Sequence, residues 1–188
     1  MRDRLAALIA ALALAACRHT IEPPESAVAG LREASPVYTL TNLHAQEEKV
    51  SAANFQYPHV IPVCSRVTLL RALVDYLEFR VEASGKEYWY QNHEAGGEPF
   101  ADHLARYFGP TCPEAELAAL TPEEREAVQR GVVRVGMSKR AVVLAIGYPP
   151  RRDTRTTELP RWRYWTGSRS DFVVVFGDDD RVEAVVVP

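Results

Sequence analysis

TPEEREAVQRGVVRVGMSKRAVVLAIGYPP, residues 121–150, carries two helix starts and two helix stops. Thr121 can act as N-cap, and Pro122 sits at the first helical position, where its missing N–H is no loss. Glu124 three residues on completes a capping box. That helix is predicted to end near Gly131. Ser138 caps a second helix running through Ala145. Gly147 beyond it allows a left-handed turn, and Pro149-Pro150 enforces the stop. Downstream, residues 161–166, 171–176 and 181–187 are rich in valine and aromatics, with turns at Gly167-Ser168 and Gly177-Asp178. The expected fold class is α+β: residues 120–188 form an α-α-β-β-β unit, an antiparallel three-stranded sheet covered by two helices.

Upstream, residues 37–113 read as a β-rich unit. Tyr57-Pro58 and Ile61-Pro62 punctuate its start, residues 67–73, 76–83 and 87–91 are strand candidates, and Ser84-Gly85 is the clearest turn. Residues 99–108 form a short amphipathic helix ended by Gly109-Pro110. Residues 17–36 are polar around Pro23-Pro24, lack a sustained apolar period, and are expected to be a flexible tether.

The first seventeen residues, MRDRLAALIAALALAAC, place Arg2 and Arg4 before an apolar run of twelve residues, 5–16. A bilayer-spanning helix needs roughly 20, so the run fits a secretory signal rather than a span. Leu14-Ala15-Ala16-Cys17 resembles the lipobox of bacterial lipoproteins, in which the cysteine is acylated and becomes the mature N-terminus. A chance Leu-Ala-Ala-Cys at this register is uncommon. That sets this reading ahead of a plain signal peptide cut near Ala16 or a short buried helix. The resemblance implies a signal peptide over residues 1–16, a lipid on Cys17, and a body held at a membrane by several acyl chains. In the lipoproteins it resembles, an aspartate after the cysteine favours inner-membrane retention, so Arg18 is compatible with the outer-membrane location, body facing the periplasm, that the resemblance implies.

The chain has 188 residues and a formal net charge of −3, a mild acidic balance that argues against nucleic acid as a partner. Cys64 and Cys112 remain once Cys17 is lipidated. In an exported protein they can oxidise to a disulfide or stay as two separate buried thiols.

Within residues 120–188, Val135-Gly136-Met137-Ser138-Lys139 is followed by Val142 and Val143, then by Ile146-Gly147-Tyr148-Pro149-Pro150. Trp162-Arg163-Tyr164-Trp165, residues 173–176 (VVVF) and Arg181-Val182 complete the series. This ordered set resembles the BamE/SmpA/OmlA family of small outer-membrane lipoproteins. Their pattern is Gly-Met-[Ser/Thr] opening a helix, a Gly-x-Pro stop, a Trp-x-Tyr strand and a final strand pair closing on Phe. The resemblance implies a non-enzymatic interaction or scaffold module in outer-membrane protein assembly or envelope integrity. Its implied partners are outer-membrane assembly proteins and the membrane itself. Residues 37–113 have no counterpart in a minimal member, which keeps open a periplasmic ligand-binding or inhibitor-type protein acting through them.

No local pattern signals catalysis, a metal or a cofactor. The five histidines (19, 44, 59, 93 and 103) lack zinc-ligand spacing, and Asp178-Asp179-Asp180 lies between two valine-rich runs, as a hairpin turn does. The candidate interaction surface is basic. Residues 151–169 hold six arginines against Asp153 and Glu158, and Arg151, Arg152 and Arg155 are expected to face anionic lipid headgroups or an acidic partner. Strand alternation places Trp162 and Tyr164 on one sheet face, and Arg163 and Trp165 on the other, joining the basic surface. In Tyr88-Trp89-Tyr90 the same alternation turns neighbours to opposite faces.

Overall fold

The computed structural model describes residues 24–73, 76–92, 98–167 and 169–187. The expected signal peptide, Cys17, the first part of the expected tether, His19, His93 and Ser168 lie outside them.

Helix α1 (Pro24–Glu33) leads into β1 (Val37–Thr39), β2 (Leu43–Gln46), β3 (Lys49–Ser51), β4 (His59–Ile61), β5 (Arg66–Ala72), β6 (Tyr76–Val81) and β7 (Glu87–Gln91). Helix α2 (Phe100–Ala105), β8 (Phe108–Gly109) and α3 (Glu114–Ala118) follow. The chain continues with α4 (Pro122–Arg130), α5 (Lys139–Ile146), β9 (Arg161–Trp165), β10 (Asp171–Phe176) and β11 (Val182–Val186).

β1 to β8 make one eight-stranded sheet in the order β4-β2-β3-β7-β6-β5-β1-β8. It is mixed, because β3 runs parallel to β7 while the other pairs are antiparallel. Its centre alternates with period 2: Leu77, Phe79, Tyr88 and Tyr90 point into the core, while Glu78, Arg80, Glu87 and Trp89 point away. β9, β10 and β11 form a separate antiparallel sheet in the order β11-β10-β9.

These findings correct the expected fold class. The chain is not a small α-α-β-β-β unit behind a loosely β-rich segment. Among the described residues, eight of the eleven strands share the mixed sheet, and the five helices are short. The physical reason lies in strand length. β1, β2, β3, β4 and β8 have two to four residues each, too few to display a period, and their pairing is decided by partners far along the chain. β3 finds β7 some forty residues later (Val50 opposite Tyr90). The expected helix 99–108 stops at Ala105 because Phe108 and Gly109 pair with Thr39 and Tyr38. The tether expectation is corrected over residues 24–33: they form α1, whose Val28 is fully buried in the core beside α2 and β5.

The helix starts follow local chemistry. Thr121 accepts from the Glu124 N–H at 3.2 Å and its own N–H reaches the Glu124 carboxylate at 3.1 Å, closing the capping box. The other Glu124 oxygen accepts from the Ser138 N–H at 2.8 Å, so one side chain ties the starts of α4 and α5 together. Gly131 ends α4 with φ +63°. A Cβ there would stand 2.7 Å from Val60 Cγ2 and 3.1 Å from the His44 ring, so glycine is required by space as well as by conformation.

Two apolar clusters fill the interior. One lies on the eight-stranded sheet under α1 and α2. The other joins α4 and α5 to Trp162, Tyr164, Val174, Phe176 and Val182. Tyr148 packs against both. Helix α5 lies between the two sheets, and its residues 141–146 are all buried, as a helix apolar on every side requires. Its C-terminal carbonyls are met from both directions. Asn42 donates its N–H to Leu144 O (2.9 Å) and its Nδ2 to Ala145 O (3.0 Å) and Val128 O (2.6 Å). Asn54 Nδ2 reaches Ile146 O and Tyr148 O, both at 2.7 Å, and the Tyr164 hydroxyl reaches Gly147 O at 3.0 Å.

Asn42→Leu keeps the shape of the side chain but removes the amide donor from Ala145 O and Val128 O, and the acceptor from the Val63 N–H that bonds Asn42 Oδ1 at 2.8 Å. Urea unfolding is expected to show a loss of about 3 kcal/mol. A loss below ~0.5 kcal/mol would show that water replaces the amide without penalty. Cys64 and Cys112 are bonded, with Cα atoms 5.0 Å apart and a sequence separation of 48. Reduction is expected to lower the unfolding free energy by about 4 kcal/mol, read from urea midpoints with and without reductant.

Candidate functional site

The basic segment after α5 is a fixed loop. Asp153 and Thr154 donate their N–H groups to Pro150 O (3.0 and 2.9 Å), and the buried Thr154 hydroxyl accepts from the Arg163 N–H at 3.0 Å. Trp165 Nε1 donates to Asp153 Oδ2 at 2.9 Å. Asp153 and Thr154 are thereby held beside β9.

The structure sorts the expected surface residues into different roles. Arg151 reaches back to the buried Glu98 carboxylate at 3.1 Å, so its charge is matched inside the fold. Arg163 stands 3.5 Å from Asp171 on the neighbouring strand. Arg152 is exposed, with only a loose 3.9 Å pairing to Asp153. Arg155 is exposed and, among the described residues, has no ion pair, and the same holds for Arg161 on β9. Trp165 is half-buried, its indole engaged by Asp153.

Strand register builds the outward face of the smaller sheet. Arg163, Val173 and Val186 lie in one cross-strand row, and Arg161, Val175 and Ala184 in the next. Trp162, Tyr164 and Val174 point the other way, into the cluster with α4 and α5. Val186 is 45 % exposed.

A second constellation is internal, and sequence reasoning missed it. The Tyr90 hydroxyl meets His103 Nε2 at 2.7 Å, and His103 Nδ1 meets Glu98 Oε1 at 2.8 Å. Arg106 pairs with the same Glu98 oxygen, and its guanidinium lies over the Tyr148 ring at 4.9 Å. A carboxylate can only accept, so His103 donates from Nδ1 and its Nε2 receives the Tyr90 proton. The Glu98 side chain is 4 % exposed. Burial pushes its carboxyl up, but the His103 hydrogen bond and the Arg106 and Arg151 charges outweigh that and hold it below the ordinary 4.5. Burial lowers the His103 pKa more than Glu98 raises it. Burial likewise drives the Tyr90 and Tyr107 hydroxyls upward. The network joins β7, α2 and the arginine loop. Its signal in the sequence is faint: Glu98, His103 and Arg106 straddle the start and end of a single short helix.

An open polar cleft of about 260 Å³ lies where β2, β3 and β7 meet, lined by Gln46, Glu47, Lys49, Ser51, Tyr57 and Gln91. Among the described residues no three His, Cys, Asp or Glu side chains converge as a metal site would need, and no helix is long and apolar enough to cross a membrane.

No family model, no curated protein and no solved structure matches the chain. The site is therefore read from its own geometry.

His44 lies in the seam between the sheets, its ring nitrogens facing Tyr57 O (2.9 Å) and Ala145 O (3.3 Å). Burial lowers its pKa beyond what those carbonyls restore. With His44 and His103 both held below 6.5, the unfolded chain takes up protons first as pH falls through that value, and folding weakens. Glu98 and Glu124 act in the same direction at lower pH. Each is held below 4.5, so its contribution is present above that value and lost as pH falls through the folded pKa. Urea midpoints are expected to fall from pH 7 to 5 and further below 4.5. His44→Gln should flatten the first limb, and a midpoint that is level or rises on acidification contradicts this assignment.

Proposed function

We propose that this chain is a non-enzymatic envelope lipoprotein, lipid-anchored through Cys17 at the outer membrane and facing the periplasm. It works as an interaction module in outer-membrane protein assembly or envelope integrity. Support comes from the signal-and-cysteine segment, from the order of motifs shared with BamE/SmpA/OmlA-like lipoproteins, and from the basic loop. The loop is the observation that carries the reading. Arg152 and Arg155 project from a segment whose backbone is fixed by Thr154, Asp153 and Pro150, a rigid presentation of positive charge beside a tethered body. Such residues gain about 1 kcal/mol each near an anionic surface. Arg151 belongs to the fold instead, because Glu98 holds it.

A second reading, a periplasmic ligand-binding protein acting through residues 37–113, has the cleft beside Tyr57 and Gln91 in its favour. That cleft is polar and somewhat smaller than the ~300–1,000 Å³ usual for ligand sites, which places this reading second.

The test uses the body freed of its anchor by Cys17→Ser and vesicles containing phosphatidylglycerol. Replacing Arg152 and Arg155 with glutamate is expected to weaken vesicle binding about thirty-fold at low salt, from ~2 kcal/mol lost with the two charges. Undiminished binding would reject the loop as the contact surface. Arg151→Glu is unsuited to this purpose, since it would place a second carboxylate against buried Glu98.

A further inference from the structure

The smaller sheet is apolar on its inner face and, along β10 and β11, carries apolar side chains on its outward face as well. A sheet with one face in water alternates apolar and polar residues. Residues 172–176, FVVVF, do not, and Val173 and Val175 point away from the α4/α5 cluster together with Ala184 and Val186. Those four residues belong to neither core. On this face the positive charge lies on one flank: Arg161 and Arg163 begin the two cross-strand rows on β9.

We propose that this outward face seats an acidic amphipathic helix from a protein partner. The helix would lay an apolar stripe on Val173, Val175, Ala184 and Val186 and turn its carboxylates toward Arg161 and Arg163. Dimensions favour a single helix. Three strands at about 4.8 Å spacing span roughly 10 Å, the width of one helix, and six-residue β10 extends about 20 Å, enough for some thirteen helical residues. Charge complementarity selects the acidic flank. A bilayer fits less well, because short valines flush with a sheet do not reach into acyl chains. This inference deepens the interaction-module reading and rests on it.

The probe is a fluorescent fourteen-residue helical peptide with leucines along one stripe and glutamates along one flank, compared with its lysine counterpart. Anisotropy titration against the Cys17→Ser chain is expected to show saturable binding of the acidic peptide alone. Val186→Glu, and separately Arg161→Glu with Arg163→Glu, should each weaken it tenfold or more, while Arg152→Glu with Arg155→Glu changes it less than threefold. Val186 and both arginines are surface positions, and far-ultraviolet circular dichroism confirms that each variant is folded. No binding, equal binding of the lysine peptide, or insensitivity to both variants overturns the proposal. So does sedimentation showing that a second copy of the chain covers the face, or vesicle binding that is lost with Val186→Glu. The two ideas fail separately, since the lipid contact is read on Arg152 and Arg155 and the helix contact on Arg161, Arg163 and Val186.

Discussion

The carbonyls at the C-terminal end of α5 hold this protein together. A helix leaves its last four carbonyls without intrahelical partners, and water normally satisfies them. Here the helix is buried between two sheets, so the protein must supply the donors. Asn42 from one side, Asn54 and Gln56 from a loop, and Tyr164 from the other sheet all converge on residues 144–148. Removing one donor leaves a desolvated acceptor, and an unmade bond of this kind counts for more than the net worth of a made one. Gly147, at φ +74° with Asn54 Nδ2 3.0 Å from where a Cβ would stand, lets the chain leave the helix without displacing these amides.

Local signals in the sequence located the C-terminal elements well. Thr121, Glu124, Ser138 and Gly131 act through neighbours three or four residues away, so their roles could be read without knowing the fold. Alternation likewise set Trp89 on the face opposite Tyr88 and Tyr90, and the structure decides which is outward: Trp89 is 42 % exposed and both tyrosines are buried. The architecture was not legible, because β1, β2, β3 and β4 are shorter than the window in which a period can appear. The parallel pairing of β3 with β7 leaves no local trace at all. In the basic segment, composition counted charges and the structure matched them. Arg151 looked like surface because its partner, Glu98, lies fifty residues upstream, and Arg155 looked the same and is exposed. A charge is available for recognition only after the fold has taken its share, and sequence cannot show that division.

Glu98 makes the division concrete. Its carboxylate receives His103 and faces Arg106 and Arg151, so it joins α2 to the loop that carries the exposed arginines. Burying an ionised group is unfavourable unless it is paired and hydrogen-bonded. The His103 N–H and the Arg106 guanidinium meet Oε1, while Oε2 is matched in charge by Arg151 at 3.1 Å without a hydrogen bond. Tyr148, packed on both cores and stacked beneath Arg106, carries the connection into the interior. The basic loop is therefore positioned by the larger sheet as much as by the strand beside it.

The seam at α5 also imposes an order in time. The chain is synthesised from its N-terminus, and the amides of Asn42 and Asn54 emerge long before the carbonyls they need, which lie 103 and 92 residues further along. Until residues 145–148 have appeared, the rim of the eight-stranded sheet carries polar side chains with no protein acceptor, and only water can satisfy them. That rim stays wet until α5 docks on it. Completion of the fold is thus a closing of distant parts rather than a progressive stacking of neighbours, the kind of assembly whose rate is limited by loop closure.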